Sequence, residues 1–232
     1  MGSKSSHFWS SITDLMSGLM VIFAFIAVVF LAEMKLVLDK IIYVTEGFKD
    51  TEQSLYNELM KEFKNDLEDW NAYIDAKTLS VIFKEPDVLF EKGEYTIKNK
   101  FKIILNDFFP RYANVLKMES FKDDIIAVRI EGHTSSEWKM FTKPKRAYLN
   151  NMSLSQLRAS EVLQYTLATN LNGSYDWIRD RLQAVGFSSS KIKTHKNGKE
   201  DKNMSRRVEF KVVTNAQDKL YSLVRLTSKS NS

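Results

Sequence analysis

The chain contains no cysteine, and this absence removes two common ways of stabilising or equipping a small domain. Without thiols there is neither a disulfide framework nor a cysteine-ligated zinc site. Proline is also scarce, at 3 of 232 residues, and between Glu33 and Lys77 there is no proline and one glycine, Gly47. That stretch can therefore form a long helix with few interruptions.

A strong excess of one charge is missing as well. The 34 basic and 29 acidic residues leave a net charge of +5, which is mild and spread along the chain, so we expect no direct nucleic-acid partner. There is no nucleophile elbow, P-loop or Rossmann glycine pattern, and the three histidines are far apart in sequence. We therefore predict a protein that is not an enzyme, with no cofactor and no metal, and interpret His133 as structural.

One long apolar run is present, ITDLMSGLMVIFAFIAVVFLA at residues 12–32. At a rise of about 1.5 Å per residue, roughly 20 apolar residues cross a bilayer core. The run is longer than the ~7–15 apolar residues of a signal peptide, although Lys4 precedes it as in such peptides. We therefore predict an uncleaved membrane span over residues 12–33 after a short segment 1–11, with a cleaved signal peptide as the alternative.

A carboxylate, Asp14, lies about one helical turn inside this run. A charge in a span costs about 2.5–3.5 kcal/mol, so such a residue usually has a function or a partner. In that position Asp14 could take up and release a proton, or it could lie at the headgroup level and cap the helix. Position alone does not separate the two, although Ser17 and Gly18 would let another helix approach closely.

The segment 34–77 carries an apolar stripe, because large apolar residues recur there every three or four positions. They are Leu55, Leu59, Phe63, Leu67, Trp70 and Ile74. We predict that a helical linker continues out of the span, either unbroken or interrupted near Gly47. A single helix cannot bury such a stripe, so we favour a self-associating or partner-bound linker, with packing on the following domain as the alternative.

Residues 78–214 alternate between strand and helix patterns and precede a short polar tail, 215–232. The predicted strands are 79–83, 125–130 and 207–213; the predicted helices are 95–116, kinked or ended by Pro110, 154–171, and 175–185, capped by Gly186. This alternation predicts the α/β class, in the form of an α/β sandwich with helices on one face of a mixed sheet.

Asn151, Leu154 and Arg158 fall at i, i+3 and i+7 and therefore share one face of the second predicted helix. Ser153 or Ser155 is expected to cap its start, which places the three residues at the amino end. Unpaired N–H groups there and the guanidinium fork could together hold an anionic group. A surface arginine beside a cap residue is the alternative.

Three sequence blocks resemble, in order and spacing, the signature of OmpA-like peptidoglycan-binding domains. They are EGHT at 131–134, NMSLSQLRASEV at 151–162 and NMSRRVEF at 203–210. The resemblance implies a βαβαβ-type sandwich that binds the peptidoglycan stem peptide, whose diaminopimelate carboxylates and amine are gripped by an arginine and an aspartate.

By this resemblance Arg158 is the peptidoglycan-binding arginine, with Asn151 and Leu154 beside it. The aspartate that normally follows GHT is replaced by Ser135 here, and Glu137 is a candidate to take its place.

The amino-terminal half, with one span that contains TDLM, resembles the B subunits of flagellar-type stators. The pattern of Trp9 followed by Asp14-Leu-Met is closer to the B subunits of Zorya anti-phage systems. The resemblance implies that Asp14 is the ion-translocating residue, and the scarcity of other oxygen ligands in the span favours H⁺ over Na⁺.

The same resemblance implies a homodimer inside a ring of multi-span MotA-like A subunits. It also implies a single-pass protein of the bacterial inner membrane, with a cytoplasmic amino terminus and a periplasmic peptidoglycan-binding domain. A flagellar stator subunit and a membrane-tethered wall anchor without ion flux are the alternatives.

Overall fold

The computed structural model describes residues 3–84, 89–91, 93–171 and 173–216, and these fall into two units that we describe separately, up to Phe48 and from Lys49. Helix α1 runs from Ser3 to Phe63. Its stretch Ile12–Ile42 is, among the described residues, the one helix long and apolar enough to cross a membrane, and its apolar window is not buried within the chain. The apolar helix predicted at 12–33 is therefore confirmed, and of the two outcomes predicted for Gly47 the unbroken helix is the one observed.

The compact unit that begins at Lys49 contains the end of α1 followed by seven strands and four helices in the described residues. In chain order they are β1 (Ala72–Asp75), β2 (Ser80–Lys84), α2 (Asn99–Leu116), β3 (Ile125–His133), α3 (Pro144–Leu167), α4 (Tyr175–Arg179), β4 (Leu182–Gly186), β5 (Lys193–Thr194), β6 (Glu200–Asp201), α5 (Lys202–Ser205) and β7 (Arg207–Thr214).

Five of these strands form one sheet in the order β1-β2-β7-β3-β4, and β5 and β6 form a separate pair. Only the β3–β4 pairing of the large sheet is parallel, so the sheet is mixed. Alternate residues such as Phe83, Ile130 and Phe210 are buried in the core on the helix-covered face. The predicted α/β sandwich is therefore confirmed.

The core is rich in aromatic rings that contact one another, several of them edge to face, an arrangement that aromatic quadrupoles favour. Phe108 is at its centre, with ring centroids 5.1 Å from Phe83, 5.0 Å from Phe210 and 5.2 Å from Phe63. Because Phe63 ends α1, that helix contributes directly to the domain core.

The apolar stripe of the predicted linker packs on the domain, which was the less favoured alternative. Leu55, Leu59 and Phe63 are all buried within the compact unit. Arg111 of α2 fixes this end of α1, since its Nε lies 2.7 Å from a Glu62 carboxylate oxygen and its Nη2 donates to the Glu62 carbonyl at 2.8 Å. The compact unit thus begins well before the predicted boundary at Thr78.

Pro110 was predicted to kink or end its helix, and it does not end it, because it lies inside α2. Two other local predictions were wrong. Helix α3 begins at Pro144 rather than near residue 154, because proline is well suited to the first turn and the polar residues after it continue the helix. The expected third helix stops at Arg179; Leu182–Gly186 is strand β4, whose conformation is set by parallel pairing with β3. Gly186 therefore ends a strand and caps no helix.

Two neighbouring glycines, Gly132 of β3 and Gly186 of β4, let α3 lie directly on the sheet. A Cβ on Gly132 would be 2.3 Å from the Ser155 carbonyl oxygen, and one on Gly186 would be 2.6 Å from the Gln156 amide nitrogen. Both obstacles are helix backbone, which cannot move aside as a side chain can. The sheet requires glycine at these positions for the close approach.

Replacing Gly132 by Ala should therefore destabilise the compact unit by about 2–4 kcal/mol, since α3 must shift off the sheet. Chemical unfolding of the full chain, followed by near-ultraviolet circular dichroism, measures the change. The control is Gly198→Ala: Gly198 has a φ of 80° but open space around it, so only backbone strain of about 1 kcal/mol is expected. Equal losses in the two variants would contradict the close-packing argument.

Candidate functional site

The three residues predicted to bind on the second helix line one cavity of about 530 Å³ beside α3. Asn151, Leu154 and Arg158 contribute the helix side of this cavity. The opposite side comes from the loop after β3 and from the residue before β7, and includes Ser135, Glu137, Trp138, Lys139 and Arg206. The structure thus brings together residues that are far apart in sequence, such as Ser135 and Arg206, because β3 and β7 are neighbours in the sheet.

Arg158 is buried and held in one orientation. Its Nε donates to the Glu94 carbonyl at 2.8 Å and its Nη2 to the Glu91 carbonyl at 3.5 Å. The guanidinium also lies over the Phe90 ring, 4.8 Å from the centroid. Gly93 supplies the turn that presents these carbonyls, with a φ of 77°. The guanidinium that lines the cavity is therefore oriented before any ligand arrives, which lowers the entropic cost of binding.

Asn151 holds the loop after β3. Its Nδ2 donates both hydrogens, to the Ser135 carbonyl at 3.2 Å and to the Glu137 carbonyl at 2.9 Å. Since these hydrogen bonds use the amide donors, Asn151 acts as a positioning residue for the loop. Leu154 lies one helical turn before Arg158 on the same face of α3 and adds an apolar wall to the cavity.

The charges around the cavity are mixed. Arg158, Arg206 and Lys139 supply positive charge, and Glu137 supplies a carboxylate that forms an ion pair with Lys202. A ligand that carries carboxylates and one ammonium group would complement this set. The residues lining the cavity include no paired nucleophile and base, so the arrangement is suited to reversible binding.

The structure corrects the expected origin of the positive potential. Because α3 begins at Pro144, Asn151 and Arg158 lie two or more turns inside the helix, where backbone N–H groups are bonded within the helix. Ser153 and Ser155 consequently cap nothing; Ser153 Oγ donates to the Leu149 carbonyl one turn back. Positive charge in the cavity therefore comes from side chains and not from a helix end.

A buried ionic cluster that our sequence analysis missed lies on the other face of the same strands. The His133 side chain is 1 % exposed, and its Nε2 lies 3.5 Å from Glu131 and 3.6 Å from Glu209. The Arg207 Nε lies 2.6 Å from Glu209, and the Lys191 Nζ lies 3.8 Å from Glu131. The alternation of charged residues at 131, 133, 207 and 209 was the available signal, since alternate strand residues share a face.

Glu131, His133 and Glu209 could in principle offer three ligand atoms to a metal, since these atoms lie within 4.8 Å of one another. Arg207 and Lys191 already neutralise the two carboxylates, however, and would repel a cation placed between them. The set is better described as a charge-balanced network within the fold.

Burial lowers the pKa of His133, and Arg207 acts in the same direction, while the two carboxylates only partly oppose them. Burial alone would raise the pKa of Glu131, but His133, Lys191 and Lys211 outweigh it and lower that pKa. Both groups therefore bind protons more weakly in the folded state than in the unfolded chain.

Stability should consequently fall as the pH drops. The stabilising contribution of His133 is complete above the unfolded histidine pKa of about 6.5. It is lost as the pH falls from there to the lower folded pKa, and it amounts to about 1.4 kcal/mol for each pH unit between the two pKa values. The pKa of Glu131 adds a further loss below about pH 4.5. Unfolding free energies of the full chain at pH 7.5 and pH 5.5 measure the first effect.

The variant His133→Gln should show a smaller difference between these two pH values than the natural chain. His195→Gln serves as a control because His195 is exposed. An unchanged pH dependence in His133→Gln would contradict the assignment.

Asp14 lies in the other unit, exposed on α1 within the apolar stretch. One residue earlier, the Thr13 hydroxyl donates to the Trp9 carbonyl at 2.9 Å, a bond within the helix. Among the residues that the structure describes, none forms an ion pair with Asp14.

Known proteins match this chain both within the compact unit and over nearly its whole length. The OmpA family profile matches residues 89–206. Over 223 residues the chain is 45 % identical to the Zorya protein ZorB of Escherichia coli, covering 96 % of this chain and 94 % of that protein.

Among solved structures, a MotB-like protein from Desulfovibrio vulgaris has a similar fold, with a TM-score of 0.50 and 20 % identity over 72 % of this chain and 93 % of that one. The cell wall anchor of the T6SS from Pseudomonas aeruginosa matches with a TM-score of 0.44 and 20 % identity, over 67 % and 96 % of the two chains.

Proposed function

Because this chain belongs to the family of the Zorya protein ZorB and contains an OmpA-family domain, we propose that it is the B subunit of a stator-like membrane motor in anti-phage defence. In this role α1 crosses the bacterial inner membrane once, with the amino terminus in the cytoplasm. The compact unit lies in the periplasm and anchors the assembly to peptidoglycan. Asp14 carries the ion. The protein binds and conducts, and catalyses no reaction.

The observation that carries the anchoring role is the cavity beside α3 where Arg158 is held in a fixed orientation. A stem peptide of peptidoglycan bears carboxylates, which a guanidinium binds through two parallel hydrogen bonds. Arg206 and Lys139 on the rim add long-range attraction for the same groups. A load-transmitting anchor needs a slow dissociation rate, and a pre-oriented arginine in a cavity favours that.

The amine of the stem peptide needs an acidic partner, and the aspartate of related domains is replaced by Ser135. We assign this role to Glu137, because it lines the cavity and its carbonyl is fixed by Asn151. Glu137 is paired with Lys202 in the structure. A ligand ammonium would replace that lysine on the carboxylate, so binding exchanges one ion pair for another.

For the ion path, we propose that two copies place their α1 helices inside a ring of multi-span A subunits, where Asp14 is shielded from bulk water. A carboxylate in such a setting binds and releases H⁺, and each change in its charge alters the contacts between α1 and the ring. Ser17 and Gly18, one turn further along, let a ring helix approach closely. The peptidoglycan anchor holds the dimer so that ion flow drives rotation.

Asp14→Asn should abolish protection against phage while leaving the protein in the membrane, because the amide keeps the shape and removes titration. Plaque counts on cells carrying the complete system measure protection, and co-purification with the A subunit measures assembly. The control is Asp39→Asn, which removes an exposed carboxylate beyond the predicted span of the same helix and should leave protection intact. Full protection by an assembled Asp14→Asn variant would exclude the ion role.

Arg158→Lys keeps the positive charge but loses the planar fork, so the full chain should bind isolated sacculi at least about tenfold more weakly. The control is Arg179→Ala, since Arg179 is exposed and pairs only with the neighbouring Asp176 and Asp180 among the described residues. Co-sedimentation with sacculi gives the affinity, and the melting temperature checks folding. Unchanged sacculus binding by folded Arg158→Lys would exclude this cavity as the anchor site.

A second candidate is a membrane-tethered wall anchor without ion flux, which the cavity beside α3 supports equally well. It requires Arg158 but not Asp14. The two variants therefore separate the candidates, since a motor subunit needs both residues and a simple anchor needs one.

A further inference from the structure

The loop between β3 and α3 exposes large apolar side chains. Met140 is 83 % exposed and Phe141 is 97 % exposed, at the tip of a turn closed by the Thr142 N–H on the Lys139 carbonyl at 3.2 Å. Phe141 also has a φ of 61°, which is unfavourable for a residue with a bulky side chain. Exposed apolar surface held by a strained backbone is typical of a contact site for a partner.

This tip is continuous with the proposed peptidoglycan cavity. Trp138 and Lys139, which immediately precede it, line the cavity wall. The loop is fixed at its start by the hydrogen bonds from Asn151 and by Glu200, which accepts from the Ser136 amide at 2.9 Å. A ligand that extends out of the cavity on this side would therefore meet the Trp138–Phe141 tip next.

Positive charge surrounds the same tip. Lys139, Lys143, Lys145 and Arg146 are exposed, and none of them pairs with a carboxylate in the described part of the chain. The first turn of α3 contains no acidic residue, so these cations repel one another and the positive end of the helix. A ligand that brings negative charge would relieve this repulsion.

We propose that the Trp138–Phe141 tip is a second subsite, which binds the sugar rings of the peptidoglycan glycan strand while the cavity holds the stem peptide. This inference rests on the proposed anchoring function. The faces of the amino sugars are rows of C–H groups that stack on aromatic rings, and Trp138 and Phe141 provide such rings. The carboxylates of adjacent stem peptides match the four basic residues.

The two parts of the ligand are therefore recognised by different means. The cavity binds charged groups through the pre-oriented Arg158, whereas the tip binds apolar sugar faces through exposed rings. A glycan strand would be gripped at two points, and the added contact mainly slows dissociation.

The test compares two soluble ligands, a disaccharide-tripeptide and the same tripeptide without sugars, by calorimetric titration of the full chain in phosphatidylcholine nanodiscs. The natural chain should bind the disaccharide-tripeptide about three- to tenfold more tightly. The double variant Met140→Ser/Phe141→Ser should lose this preference and keep its affinity for the tripeptide. The control is Ile103→Ser on α2, which removes a side chain that is 71 % exposed and should change neither affinity.

Equal affinities of the natural chain for the two ligands, or a preference that survives in the double variant, would overturn the glycan subsite and leave the proposed function standing. Absence of binding to both ligands would instead overturn the proposed function. Capture of vesicles that contain phosphatidylglycerol, lost in the double variant and without any sugar preference, would assign the tip to a membrane surface and so overturn the inference.

Discussion

The contact between α3 and the sheet is the constraint on which the candidate site depends. Side-chain-free Gly132 and Gly186 let the helix backbone rest on β3 and β4, so that Gln156 Oε1 accepts from the Gly186 amide at 2.7 Å. Ser155 Oγ similarly accepts from the Ser188 amide at 3.0 Å. These bonds set the distance between α3 and the strand ends. That distance determines the shape of the cavity between Arg158 and the loop after β3.

The strands β3 and β7 serve two chemically different surfaces. On one face, alternate residues such as Ile130 and Phe210 build the aromatic core under the helices. On the other face, Glu131, His133 and Glu209 are buried with their counter-ions. Buried carboxylates are costly without opposite charge nearby, and the cations beside Glu131 and Glu209 favour the strand register that brings these groups together.

The compact unit includes the end of α1 as well as the sheet and its covering helices. The last turns of α1 are part of the domain core through Leu59 and Phe63, and Arg111 bonds to the same helix end. The segment of α1 from Leu55 to Phe63 is therefore a packed part of the compact unit and not a loose linker. This packing could not be deduced from the apolar stripe alone, because a stripe at helical spacing is buried equally well by a second copy, a partner or its own domain.

Periodicity and local motifs were enough to predict the apolar helix that contains Asp14, the α/β class, and the shared helical face of Asn151, Leu154 and Arg158. Only the tertiary structure decided where α3 begins, that Leu182–Gly186 is a strand, and that Asn151 holds the loop while Arg158 faces the cavity. Strand pairing and the approach of backbones at Gly132 join residues distant in the chain, and no local pattern encodes those distances. The exposure of Phe141 likewise became visible only once its neighbours were in place.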